Sequence, residues 1–591
     1  MACPTFTLTG MITETISRMT TGMMRKVLAS LSLVLFCISS AAAASKPNLV
    51  LITLDSVRVD RMGFLGANGA LTPSLDRLAG ESIVFNHAYA QAPATVVSHA
   101  TILSGAYPQS TGMSEIGATL PASLSYLPDL LKAQSYRTAA FVGSIDLDPQ
   151  NGLAQGFDRG FQTYDASFRP AIPGDPRPAV AKRRGSEVVS RAVAWIDHNA
   201  QAQAPFFLWI HISDADVLGA SYNPAITAAD AAVGKLIGAL QQRKLYGNTA
   251  VVVVASHGQS LGAHGEDAHG IFLYDETIHV PLLIKLPQVE PAAKPASSQV
   301  AAKVRLVDVA PTLLEVAAIP VPSQMQGQSL LRIARAGGGS DQPVYSRADL
   351  PQRAFGWSPL ESWRAGKYLY IRAPKPELYD LAADPGATHN LAQSAKATLD
   401  TVAAQLDNFS RHFSGDASKA SAELSSSEMQ KLASLGYIGM QKSSGSATAV
   451  AGTDPKAKIA TANKVLEASS RDQSKSDRAI AALTPVVASD PNLYLAQYTL
   501  GADLARTGQY AEAAKHLHTA IELQPDSAWA HYEIGATLLK TGEFKTAIVH
   551  LEIATGRLPA FAPAHHDLAD AYERAGRSED AKRERALAKT P

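Results

Sequence analysis

Two hydrophobic rhythms alternate from Pro47 onward. Short, nearly unbroken apolar runs at Asn48–Leu54, Arg137–Gly143, Phe206–Ile212 and Ala250–Ala255 predict strands buried on both faces. The stretches around Leu75–Leu78 and over Leu124–Ala133, Gly185–Asn199 and Ala228–Gln242 carry helical spacing instead. Strands alternating with helices predict an α/β domain built on a doubly wound, mostly parallel sheet. After Leu306 comes a helix, Val307–Ala317, followed by Pro- and Gly-rich connections. The aromatic-rich runs Ser362–Arg372 and Pro376–Leu381 then predict a small C-terminal antiparallel subdomain starting near residue 340.

The pattern changes again beyond residue 413. Ser/Ala/Gly-rich stretches at Ser414–Ser427 and Ser443–Gly452 flank the short apolar patch Met429–Ile438 and mark a boundary. The expected division is an α/β domain over 46–440, a linker over 441–455 and a last domain over 456–591. That last part repeats: Gly508, Gly542 and Gly576 lie 34 residues apart, as do Leu500, Ile534 and Leu568, and Pro491, Pro525 and Pro559. A turn glycine, an aromatic soon after (Tyr510, Phe544) and a closing proline at this period are the pattern of an all-α tetratricopeptide repeat domain. Ala457–Asp490 reads as a degenerate earlier repeat or an N-terminal cap that keeps only Ala479–Val487 as a convincing second helix, and the charges from Glu579 to Arg585 suit a solvent-facing cap. Stacked helix pairs present a groove suited to a protein or peptide partner. His531, His565 and His566 fall in these helices and are assigned no metal.

The N-terminus alters the expected compartment. Arg25 and Lys26 precede the apolar run Val27–Ile38 and the small residues Ala42, Ala43 and Ala44, the layout of an export signal over residues 1–44, with Met24 as an alternative start. Export to a bacterial periplasm follows, with no membrane span after cleavage. Cys3 and Cys37 both lie upstream of that cleavage point, which leaves the exported chain without a thiol nucleophile or ligand. At 591 residues, 46% hydrophobic and 18% charged, the composition is that of an ordinary globular protein of two to four domains. Its 53 basic and 53 acidic residues give no reason to expect nucleic acid.

The candidate chemistry centres on Gln91–Gly105, QAPATVVSHATILSG. Thr95 stands where a loop gives way to a helical pattern over Val96–Leu103, so a bound anion there would meet a hydroxyl nucleophile and free helix amides. An ordinary N-cap is the competing reading. Asp55 follows the first strand, Asp214 and Asp216 follow Phe206–Ile212, and His257 follows Ala250–Ala255. Ligands gather at the carboxyl ends of strands in such sheets, so these groups converge on one edge. His211, inside an apolar strand, reads as a core residue or as support behind a ligand. Trp209, Trp357 and Trp363 read as packing residues.

Several runs together resemble the sulfatase branch of the alkaline phosphatase superfamily: NLVLITLDSVRVDRMGFLG, LTPSLDRLAGESIVFNHAYAQAPATVVSHATILSGAYPQSTG, GLAQGFDRGF, PFFLWIHISDAD, VVVVASHGQSLGAHGEDAHGIFLYDETIHVPLLIKLP and PELYDLAADPGATHNL. The resemblance spans about residues 46–440 and is nearer still to exported sulfatase-like proteins with a tetratricopeptide tail. It implies that Asp55 and His257 are metal ligands, joined by Asp214 where two ions are bound. It also implies that Thr95 is the nucleophile, with Ser98 and His99 at the Ser and Arg of the C/S-x-P-S-R motif, and that His264 and His269 face the substrate or a second metal. One or two divalent ions (Zn, Mn, Ca or Mg) would lower the nucleophile's pKa and offset charge on the ester oxygens.

The departures from the family pattern matter as much. Sulfatases make a formylglycine from Cys or Ser where this chain has Thr95, which favours phosphodiesterase or phosphotransferase chemistry through an ester of threonine. The usual S-D-H-G-E appears as Ala255-Ser256-His257-Gly258-Gln259, and the usual D-P-H as Asp214-Ala215-Asp216. Losing a carboxylate at Ser256 weakens the expected metal site. Two functions therefore stand. One is an exported, metal-dependent hydrolase or transferase of a phosphate or sulfate ester on a small molecule, glycan or lipid, with Thr95 as nucleophile. The other is a catalytically impaired scaffold that works through its repeats.

Overall fold

A computed structural model describes residues 46–588 except 70, 114–118, 151–152, 169–180, 200–203, 218, 289–298, 337–340, 414–451, 470–475 and 560. The export signal with its two cysteines, the patch Met429–Ile438 and most of the linker lie outside the described residues.

The apolar runs form the predicted strands. β1 (Asn48–Leu54), β3 (Arg137–Phe141), β5 (Phe206–Ile212) and β6 (Thr249–Ala255) lie side by side and parallel, with β1 and β5 fully buried along their length. Four more strands complete the sheet: β2 (Ile83–Tyr89), β4 (Thr163–Asp165), β7 (His279–Lys285) and β8 (Gln299–Arg305), in the order β4-β3-β5-β1-β6-β7-β2-β8. β7 runs antiparallel to both neighbours, so the sheet is mixed but mostly parallel. A four-stranded antiparallel sheet follows, ordered β12-β11-β10-β9, from β9 (Val344–Ala348), β10 (Leu360–Ala365), β11 (Tyr368–Arg372) and β12 (Glu377–Asp380). Its aromatic face, with Tyr345, Trp363 and Tyr370, packs on Phe409 and Leu406 of the helix Lys396–Phe413.

The repeat region is helical throughout its described residues. Three helix pairs, Tyr494–Arg506 with Tyr510–Leu523, Ala528–Thr541 with Phe544–Arg557, and Ala562–Arg574 with Ser578–Leu587, follow the 34-residue period. Gly508, Gly542 and Gly576 sit at φ of 84°, 87° and 78° in the turns between paired helices, a region an L side chain pays to enter. The earlier unit keeps both helices, Ile459–Ser469 and Ser476–Ser489.

One polar joint recurs in register with the repeat. Gln497 donates to Pro491 O (2.8 Å) and accepts from His516 Nδ1 (2.7 Å). His531 takes the same place, donating from Nε2 to Pro525 O (3.1 Å) and meeting His550 Nδ1 at 2.9 Å. In the last unit His565 bonds Pro559 O (3.0 Å) and Glu584 (2.7 Å).

Candidate active site

The carboxyl ends of β1, β5 and β6 bring the site together. Backbone bonds lock the edge: Asp55 N–H donates to Ile212 O (3.0 Å) and Ser256 N–H to Leu54 O (2.8 Å). Asp55 is therefore held at the tip of β1, 2% exposed. Its Oδ2 accepts from His211 Nε2 (2.8 Å) and from Thr95 Oγ1 (3.1 Å), and its Oδ1 accepts from Ser256 Oγ. Burial opposes ionisation of Asp55, but His211 outweighs it and holds the carboxyl well below the usual carboxylate range.

Thr95 is the first residue of the helix Thr95–Ser104, and Ala94 occupies the cap position. The hydroxyl is thus free of capping duty and lies between Asp55 and His257 Nε2, at 3.3 Å from the latter. Ser98 supports the turn by donating to Ala92 O (2.7 Å).

The imidazole tautomers follow from their partners. His257 donates from Nδ1 to Gly258 O (2.9 Å), which leaves the Nε2 lone pair facing Thr95. Burial, then the neighbouring His269, push its pKa down to about 4, so it is neutral across the physiological range. His211 accepts the Gly143 N–H at Nδ1 (3.2 Å), so Nε2 carries the proton given to Asp55. His99 is placed differently from its expected catalytic role. It is fully buried, with Nδ1 on Thr95 O (2.7 Å) and Nε2 on Thr53 Oγ1 (2.9 Å), and burial pushes its pKa down to about 3. It fixes the first turn of the nucleophile helix and does not reach a reacting atom.

His269 does join the site. Its ring centroid lies 4.2 Å from that of His257, Nδ1 donates to Pro93 O (3.0 Å), and Nε2 faces Asp216 Oδ1 at 3.5 Å. Burial works against its charge, but Asp216 outweighs it and raises the His269 pKa above the ordinary imidazole value. Asp216 also pairs with Lys182, accepts from Ser56 Oγ (3.3 Å), and is held below the usual carboxylate range against its burial by His269 and Lys182. Lys182 carried no sequence signal: it is brought in by a single bridge to Ser144, outside any strand.

Two expected groups are turned elsewhere. Asp214 Oδ2 accepts the Gly185 N–H (2.6 Å) at the start of the helix Gly185–Asn199, where the free amides favour a carboxylate, so this oxygen serves that helix. His264 stacks on Tyr274 with 3.6 Å between centroids and approaches Glu276 at 3.8 Å, so it packs against that loop. Gln259 donates to Val217 O (3.3 Å) and brings no charge to the site.

The donor set fits one divalent ion. Asp55, His99 and His211 have ligand-capable atoms within 4.8 Å of one another and could hold a metal, although His99 and His211 would give up the hydrogen bonds above. His257, the other expected ligand, turns its Nε2 lone pair to Thr95. With Asp214 committed to Gly185, the carboxylate expected for a second ion is absent from the cluster.

The sulfatase family model matches residues 47–215, which carry Asp55, Thr95 and β5. The chain belongs to the sulfatase family. A second model, N-sulphoglucosamine sulphohydrolase, C-terminal, matches residues 267–411, and a TPR repeat model matches 503–542. An ulvan-active sulfatase of Formosa agariphila is 26% identical over 61% of this chain and 80% of its own length. The N-acetylgalactosamine-6-sulfatase of Canis lupus familiaris is 27% identical over 62% and 85% respectively. Among solved structures, the phosphonate monoester hydrolase of Agrobacterium radiobacter shares the fold at a TM-score of 0.51, with 18% identity over 62% of this chain and 96% of its own. Among the described residues of this sulfatase-family chain, no helix is long and apolar enough to cross a membrane.

Proposed function

We propose that this sulfatase-family chain is an ester hydrolase in which Thr95 Oγ1 is the nucleophile. The observation that carries this reading is the placement of the Thr95 hydroxyl between Asp55 Oδ2 (3.1 Å) and the free lone pair of His257 Nε2 (3.3 Å). The hydroxyl proton turns from Asp55 Oδ2 to His257 Nε2 and passes to it as Oγ1 bonds the sulfur or phosphorus, and the bond to the leaving oxygen breaks. His269, whose Nε2–H is loosely engaged by Asp216 at 3.5 Å, gives its proton to that oxygen. Water then attacks the threonine ester as His269, now neutral, takes its proton, and Thr95 leaves with the proton held by His257. A divalent ion held by Asp55 with His99 and His211, when bound, would supply charge to offset that on the ester oxygens and would leave the His257 lone pair free for the proton.

The named relatives favour a sulfate ester on a glycan. A threonine nucleophile favours phosphate, because a phosphothreonine can be displaced by water or by an acceptor alcohol. Turnover of aryl sulfate, phosphomonoester and phosphodiester substrates by wild type and Thr95→Ala decides between them. Equal rates for both proteins on all three would sink the reading. Export to the periplasm is part of it and rests on Arg25, Lys26, Val27–Ile38 and Ala42–Ala44. N-terminal sequencing of the secreted protein tests that, with Ser45 or a near neighbour expected first. The repeat groove is the proposed seat of a protein or peptide partner.

A second reading is favoured by Ser256, which satisfies Asp55 where the family motif has a carboxylate. In it the fold is a platform for the repeats. Metal retained in stoichiometric amount after purification would argue against that reading.

A further inference from the structure

The loop Leu261–Gly270 carries His269 to the site in an expensive conformation. Leu261 and His264 lie at φ of 53° and 52°, and Gly262, Gly265 and Gly270 at 88°, 86° and 107°. A left-handed non-glycine residue costs about 1–2 kcal/mol, so such a loop persists when its surroundings over-determine it. Part of the hold is internal: Ser260 N–H donates to Ala268 O (2.7 Å) and Gly262 N–H to Glu266 O (2.8 Å). The buried Glu266 carboxylate accepts the N–H groups of Ile271 (2.8 Å) and Phe272 (3.3 Å).

The rest comes from the repeat region. Asn463, on the helix Ile459–Ser469, donates from Nδ2 to Gly265 O (2.7 Å) and accepts the Asp267 N–H at Oδ1 (3.3 Å). A Cβ at Gly265 would come within 3.2 Å of Ile459 Cγ2, so the helix lies directly on the loop. The chain leading into this helix is strapped to the catalytic domain. Thr453 O accepts from Ser358 N–H (3.0 Å), Asp454 Oδ2 from Lys375 N–H (3.1 Å), and Lys375 O from Lys456 Nζ (3.0 Å). The helix is thus fixed on the same body whose loop it grips.

We infer that Asn463 is a positioning residue of the active site, a side chain of the repeat region that holds the Leu261–Gly270 loop and through it sets His269. Two hydrogen bonds on one side chain clamp the backbone on either side of Glu266, whose carboxylate turns the chain toward His269. Coupling is reciprocal: whatever shifts the first repeat helix shifts the loop, and whatever orders the loop steadies that helix. The effect on turnover rests on the ester-hydrolase reading above; the holding of the loop does not.

The test uses the full chain as wild type, Asn463→Ala, Asn463→Asp and Lys464→Ala, the last being an exposed neighbour on the same helix. Amide exchange over residues 261–271 is expected to rise about tenfold in Asn463→Ala while the helices beyond residue 494 keep their protection. With an aryl ester, kcat is expected to fall about tenfold at nearly constant KM, as a misplaced acid predicts. Asn463→Asp keeps the acceptor for Asp267 N–H and loses the donor, so it falls between, and Lys464→Ala matches wild type. Wild-type exchange over 261–271 in both Asn463 variants overturns the inference, whatever their activity. If wild type turns over no ester, the hydrolase reading fails and the exchange comparison still decides this one.

Discussion

Ser256 Oγ donates to Asp55 Oδ1 across the ends of β6 and β1, a neutral hydroxyl against the buried carboxylate where the family motif has a second carboxylate. Ser256→Asp would place two like charges in contact. The variant is expected to melt below wild type in chelator, and to gain at least about tenfold in affinity for Ca²⁺ or Mn²⁺ with its stability restored. Thermal melts with and without metal, beside calorimetric titration, check this. An identical melting temperature in chelator would show that Ser256 does not govern the charge of the site.

Thr95 caps no helix amide, so its hydroxyl can be removed at little cost to the fold. Thr95→Ala is expected to lower ester turnover by a factor of about 10³ or more with the melting temperature nearly unchanged, and Thr95→Ser to retain measurable activity. Loss of fold in Thr95→Ala would mean that the hydroxyl is structural.

The rate should depend on pH on both sides. His257 accepts a proton when neutral, so turnover falls as pH drops through about 4. His269 donates when protonated, so turnover falls as pH rises past its pKa, which Asp216 holds above the ordinary value. Asp216→Asn removes that support and is expected to move the alkaline limb to lower pH, with a smaller shift of the acid limb in the same direction because Asp216 also raises His257. A pH–rate profile of both proteins measures the two limbs separately.

In the repeats, a Cβ at Gly535 would meet Leu551 Cγ at 2.6 Å, and one at Gly501 would meet Leu517 Cγ at 2.7 Å. Gly535→Ala therefore overpacks the contact between paired helices and is expected to cost about 1–3 kcal/mol, in spite of alanine's better helix propensity. Denaturant unfolding followed on the repeat helices reads this directly. A stabilised variant would show that the pair can move apart freely.

The strands around the site were legible because β1, β3, β5 and β6 are buried on both faces and read as unbroken apolar runs. β2 was missed, because its outer half, with Asn86 and His87, breaks the run, and the three-residue β4 is too short to carry a pattern. Asp55, Thr95 and His257 were readable as strand-end and helix-start residues and His269 only through the family resemblance, and the structure gathers them. Asp214 has the same local sequence signature, yet the free amides at Gly185, distant in sequence, claim its carboxylate. His99 faces inward because its helix packs on Thr53 of β1, a register that no local pattern announces. Lys182 and Asn463 act through contacts across 34 and about 200 residues, beyond the reach of any periodicity.

The recurring joint between proline carbonyl, first helix and second helix comes in three electrical versions. The Gln497–His516 joint works with neutral partners, His531–His550 has room for one shared proton, and His565–Glu584 pairs an imidazole with a carboxylate. His550 is held down to about 4 by burial and by its histidine neighbours, so the unfolded chain binds its proton first. The stability of the middle joint is present above the ordinary imidazole value and drains away as pH falls toward 4. Burial lowers His516 in the first joint as well, so acid loosens that joint in the same direction. Two successive links of the array therefore share one sensitivity to acid.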